Sequence, residues 1–202
     1  MPDAPKKGFV IDRAGLPADY PTHAHAADFW EQLGRTVATF GFLEEMLGKA
    51  IFALTATKEY AEGEAEAAYD EWIETLEKAL SDALGRLISL YEVAIKANQS
   101  MKYGGTEELI SDLRAAAKIR NVICHGSWRK PDETGKSIPM FVTPKMEVFD
   151  TLVDVEFLKQ VRANTLDLVC SVMDSVTHMG WNFPGSESPG AVIYEPNSAG
   201  AA

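Results

Sequence analysis

Apolar residues recur every three to four positions through most of this chain, and that spacing predicts four long helices. Over residues 26–57 they fall in heptads, with Trp30, Val37 and Ile51 in one series and Leu33, Phe40, Leu47 and Leu54 in the other. Glu44 occupies the place that would complete the first series. After a polar loop at 58–63, a second helix is expected to reach about residue 98, with Tyr69, Leu76, Ala83 and Leu90 interleaved with Ile73, Leu80, Leu87 and Ala94. Both helices stop after about thirty residues and a short loop joins them, so an antiparallel pair within a bundle is simpler than an extended coiled coil. The turn at Lys102, Tyr103, Gly104 and Gly105 ends the second helix. Thr106 is expected to cap the third, with Glu107 and Glu108 in its first turn where the helix dipole favours them. Leu109, Leu113, Ala116 and Ile123 form the apolar stripe of this third helix, and Gly126 is its natural C-cap. The fourth helix, about 154–178, carries Phe157, Val161, Leu168, Val172 and Val176 towards the core, with His178 capping its last turn.

Between the third and fourth helices the period changes. Residues 127–130 and 138–142, separated by Pro131, Asp132, Glu133, Thr134, Gly135 and Lys136, read as two strands of a hairpin, with a third short strand at 146–149. The expected fold is therefore all-α: an up-down bundle of four long helices with a small β-hairpin inserted between helices 3 and 4. Prolines at 2, 5, 17 and 21 mark residues 1–22 as an irregular N-terminal arm. The helical domain spans 23–180, and the Gly-, Ser-, Pro- and Ala-rich residues 181–202 form a flexible tail.

Composition changes the picture in one respect. Thirty acidic against nineteen basic residues give a net charge of −11, the wrong sign for a protein that coats nucleic acid nonspecifically. Any such contact must be local, and the balance reverses in one place. Between residues 114 and 136, Arg114, Lys118, Arg120, Arg129, Lys130 and Lys136 face only Asp132 and Glu133, six basic residues against two acidic for a local +4. A solvated helix end and hairpin tip would have the same charge. Cys124 and Cys170 sit inside expected helices and lack metal-ligand or disulfide spacing, and Cys124 is expected to be a buried free thiol. His23 and His25 lack further ligands nearby and are expected at the surface. No apolar run approaches the length of a membrane span, no signal-peptide core is visible, and a cytoplasmic protein with no membrane contact is expected. The glycines lack the context of a phosphate-binding loop, and no cofactor or metal is expected.

Candidate chemistry concentrates at the end of the third helix. Arg120 lies on the apolar stripe, three residues before Ile123, where an unpaired guanidinium would cost several kcal/mol, roughly, and so demands a partner or an interface. Glu44 on the first-helix seam asks for a cation, with Arg120 and His125 as candidates; alternatively, a local shift of face exposes Glu44 while Leu43 packs. Asn121 and His125, four apart, share a neighbouring face, whereas Arg120 and His125 lie about 140° apart around a straight helix.

The string Arg120, Asn121, Val122, Ile123, Cys124, His125 resembles the signature of the HEPN superfamily, in which an arginine, often followed by a polar residue, precedes a histidine by four to six positions. Its place late in the third of four helices strengthens the resemblance, which covers roughly residues 24–180. The resemblance implies a metal-independent endoribonuclease that leaves a 2′,3′-cyclic phosphate, built as a homodimer whose two arginine-to-histidine helices meet at a two-fold axis. Arg120, His125 and Asn121 would then be catalytic, Glu44 would hold Arg120, and Lys118, Arg129 and Lys130 would contact RNA. The hairpin either overhangs this site or is a plain connector. A toxin or phage-defence role with a protein antitoxin is one setting. Some toxins of the superfamily carry a tyrosine two residues past the histidine, where a partner nucleotidyltransferase modifies them; here Ser127 stands there, which argues against that kind of partnership. Two further readings compete: a catalytically silent HEPN-like module that binds nucleotides or proteins, and a purely structural helical interaction module.

Overall fold

The computed structural model describes residues 7–58, 83–101, 103–188 and 190–193. Four α-helices organise them: α1 (Ala27–Ala56), α2 (Leu84–Ala97), α3 (Thr106–His125) and α4 (Val155–Thr177). Among the described residues no β-strand forms and no helix is long and apolar enough to cross a membrane.

α1 is the axis of the molecule because it is apolar on more than one side. Phe40, Leu43, Leu47 and Leu54 are fully buried, meeting Leu87, Ile88 and Tyr91 of α2, Leu113 of α3, and Leu158, Val169, Val172 and Val176 of α4 in a single core. Burying each such side chain contributes about 2 kcal/mol. The heptad assignment holds for Phe40, Leu47, Ile51 and Leu54 but fails at Val37, which is 40% exposed while Thr36 and Leu43 point inward. The seam rotates by one position because α4 packs along α1, and the Thr36 hydroxyl donates back to the Gln32 carbonyl (2.8 Å), so its polar atom is satisfied inside the core.

The second helix differs from its expectation. Ala83 has extended backbone, so α2 begins at Leu84, and the expected positions Tyr69, Ile73, Leu76 and Leu80 lie outside the described residues. At the other end Asn98 is buried, and its Nδ2 donates to the Leu54 carbonyl (2.7 Å) and lies 3.0 Å from Thr57 Oγ1. The C-terminal ends of α1 and α2 therefore sit together, while most of the loop and the first part of the helix expected to pair antiparallel with α1 lie outside the described residues. Across the core the Tyr91 hydroxyl donates to Ser175 Oγ (2.7 Å), which in turn donates to the Val172 carbonyl. Burial pushes the Tyr91 phenol far above its usual range.

Gly105, not Thr106, caps α3: its φ of 78° is a left-handed conformation that favours glycine, and Thr106 is already helical. α4 starts at Asp154, whose Oδ1 accepts from the Phe157 N–H (2.8 Å), and ends at His178, whose Nδ1 donates to the Asp174 carbonyl (2.9 Å) while its ring meets Tyr103 edge-on.

The link between α3 and α4 is not the predicted hairpin. Isolated antiparallel bridges join Ser127 to Met140, Ser137 to Val153, and Val142 to Val148, and no ladder extends from any of them. Pro139 is the second residue of the expected second strand and has no N–H to donate, and Pro131 and Pro144 interrupt the chain on either side. The tip is held instead by the Asp132 carboxylate, whose Oδ1 accepts from the backbone N–H groups of Thr134 and Lys136. Past α4, Phe183 is buried in the core, so the chain packs beyond residue 180 before the turn at Gly185.

Candidate functional site

Arg120 reaches the core edge because Leu113 and Ile123, on either side of it along α3, are both buried. Its Nη2 donates to Glu44 Oε1 at 3.1 Å, with the two side chains 24% and 26% exposed. Leu43 is fully buried next to Glu44, so α1 packs Leu43 and still presents the carboxylate to α3. The partner of Glu44 is therefore Arg120, not His125.

Asn121 and His125 point the other way. Both are exposed, and among the described residues neither makes a hydrogen bond or ion pair. Among the described residues nothing links them to Arg120, which for His125 agrees with the angular offset of residues five apart on a helix. The helix stops at His125 through Gly126, whose N–H donates to the Val122 carbonyl (2.8 Å). Gly126 is not required for its dihedrals, φ −68° and ψ 140°, which any residue adopts. It is required for space: a Cβ there would lie 2.5 Å from the Val122 carbonyl oxygen and 2.9 Å from Pro139 Cβ. The Ser127–Met140 bridge, 3.0 and 2.8 Å, then fixes the chain directly after the histidine.

The local positive patch is smaller than its formal charge. Arg114 is paired with Glu92, Arg120 with Glu44 and Lys136 with Asp154. Lys118, Arg129 and Lys130 have no carboxylate partner among the described residues. Glu92 stays ionised, held below the usual carboxylate range first by the hydrogen bond from Lys96 and also by the charge of Arg114. Arg129 Nη2 lies 3.0 Å from Met140 Sδ, which orients the guanidinium without neutralising it.

Two expectations are overturned. Cys124 is exposed, because Val122 and Ile123 take the buried places and turn its thiol outward; Cys170 on α4 is exposed as well. His25 is buried at 8% exposure, stacked on Phe29 with centroids 3.9 Å apart and met edge-on by Trp30 and Trp128. Its Nε2 donates to the Arg129 carbonyl (2.9 Å), with Ser137 Oγ 3.1 Å away, so it fastens the start of α1 to the connector. Burial lowers its pKa, and the bond to Arg129 offsets part of that shift. The signal available in the sequence was the aromatic pair Phe29 and Trp30, four and five residues on.

The α3–α4 groove, about 510 Å³, is floored by Phe40, Ala116, Ile119 and Leu168, and contains none of Arg120, Asn121 and His125. No family model, curated protein or solved structure matches the chain. An anchored guanidinium and a free imidazole, one helical segment apart, provide a fixed positive charge and one acid/base group.

Proposed function

We propose that this chain is a metal-independent endoribonuclease of the HEPN type, acting as a homodimer with one composite cleft. The observation that supports it best is the division of labour along α3: Arg120 is held by Glu44 at 3.1 Å, while His125 on the last turn is exposed and unpartnered among the described residues. In the reaction a neutral imidazole takes the proton of the ribose 2′-hydroxyl as that oxygen attacks the adjacent phosphorus. The P–O5′ bond breaks, and the departing 5′-oxygen takes a proton from the second chain's imidazole. The products are a 2′,3′-cyclic phosphate and a 5′-hydroxyl. Arg120 stabilises the charge that builds on the phosphorane oxygens. Asn121 orients the imidazole or the phosphate, and Lys118, Arg129 and Lys130 hold flanking phosphates. A protein antitoxin would act by covering this cleft.

A second reading rests on the same ion pair. If the charge of Arg120 is spent on Glu44, the motif is a polar lock between α1 and α3, and the chain is a non-catalytic HEPN-like module for nucleotides or proteins. Incubating the protein with mixed RNA in EDTA, beside Arg120→Ala and His125→Ala variants, separates the two. Cleavage that disappears in both variants supports the ribonuclease. Intact RNA in every reaction, with the protein folded, leaves the binding module.

A further inference from the structure

Five exposed side chains of α3, Ser111, Arg114, Lys118, Asn121 and His125, are spaced by three, four, three and four residues. At 100° per residue they fall within an arc of about 80°, and from Arg114 to His125 they extend about 16 Å along the helix. Arg120 is excluded from this arc. The stripe is polar or cationic at every position and ends at the one free imidazole of α3. Glu107, one turn before Ser111, carries the opposite charge and sets its far limit. Arg114 is held on the stripe by Glu92, which is shared with Lys96 at 2.7 Å, and Lys118 has no carboxylate partner among the described residues.

We infer that this stripe is a track for the phosphodiester backbone of single-stranded RNA, leading one flank of the strand to His125. The inference rests on the ribonuclease reading and adds the substrate class and two residues, Arg114 and Ser111, that the motif does not supply. The stripe bears no aromatic ring on which a base could stack and none of the bidentate pairs that read base edges, so recognition is by charge and independent of base sequence. The strand must be single because attack by the 2′-hydroxyl needs that oxygen, the phosphorus and the leaving 5′-oxygen in line. A free backbone reaches this geometry, whereas a duplex holds the 2′-oxygen out of line.

The probe is a fluorescein-labelled 12-nucleotide 2′-O-methyl oligouridylate, which cannot be cut through its 2′-oxygen, titrated with the full-length protein at several salt concentrations. Binding should weaken about tenfold in Lys118→Glu and in Arg114→Gln. The slope of log K against log salt should fall by about 0.7 for each phosphate that the variant no longer neutralises. Lys49→Glu on α1 should bind like the parent, and unmodified RNA should be cut more slowly in a duplex than as the same strand alone. No binding, or equal binding by the stripe variants, overturns the track, and a duplex cut as fast as the single strand overturns the single-strand assignment. Cleavage of unmodified RNA that ignores both stripe substitutions removes the track and leaves the ribonuclease. Stripe-dependent binding without cleavage removes the ribonuclease and leaves the track.

Discussion

At the scale of single residues, Glu44 and His25 each hold something in place that can be released by one substitution. Replacing Glu44 with Gln keeps the shape and removes the charge, so Arg120 loses its anchor at a site about three-quarters buried. Chemical denaturation should register a loss of about 1 kcal/mol. RNA cleavage should fall roughly tenfold, through kcat more than KM, because the guanidinium is then misplaced against the transition state. Cleavage unchanged in Glu44→Gln would mean that the ion pair is structural only. His25 makes a pH prediction. Its folded pKa lies below the unfolded value of 6.5, so the unfolded chain binds its proton first, and stability falls as pH drops below about 6.5 towards the folded pKa. Asp28 and Asp154 line the same cleft, so the informative quantity is the difference between parent and His25→Asn: the parent's melting temperature should decline more steeply from about pH 7 to about pH 5.5. Parallel curves would remove His25 as their source. The two residues were not equally visible in the sequence. Glu44 stands out as a carboxylate in an apolar series, but His25 is buried by Trp128, Ser137 and the Arg129 carbonyl, over a hundred residues away, and no local pattern records that.

Among the elements, α3 and its exit decide whether the candidate site has a fixed shape. Gly126→Ala places a methyl group against the Val122 carbonyl and the Pro139 ring, so either the last turn of α3 or the Ser127–Met140 bridge must give way. A destabilisation of about 2 kcal/mol is expected, with a changed NMR environment for the His125 ring. A neutral effect on both would show that the exit tolerates displacement. In the same region periodicity reaches its limit as a guide to structure. The alternation of exposed Ile138, Met140 and Val142 with buried Ser137 and Pro139 is strand-like, as the sequence implied. Pairing nevertheless stops at single bridges, since a proline within a strand removes a ladder donor. For α1, α3 and α4 the apolar period located each helix, because their stripes meet one continuous core. The extended Ala83 that precedes α2 is invisible to a heptad count, since alanine fits the apolar series whether or not its backbone is helical.

Across the whole molecule, the proposed ribonuclease would have to bring RNA to a small basic surface of an acidic chain, and the single histidine of each site would need a second acid/base group. The second requirement is why the proposal includes a pair of chains. Light scattering after size exclusion should give twice the chain mass of 22.1 kDa at micromolar concentration, and a strict monomer would leave the departing 5′-oxygen without its acid. The all-α architecture is legible from spacing alone. Which helix ends lie together is not, because that is set by long-range bonds such as Asn98 to Leu54. The central claim, that Arg120 and His125 cut RNA through its own 2′-hydroxyl, is tested most directly by end-group analysis of one labelled oligoribonucleotide and its all-deoxy counterpart, each incubated in EDTA. The expected result is a 2′,3′-cyclic phosphate from the ribose strand only, lost about a hundredfold or more in His125→Ala. Equal cutting of the deoxy strand, or a product that persists in His125→Ala, would contradict it.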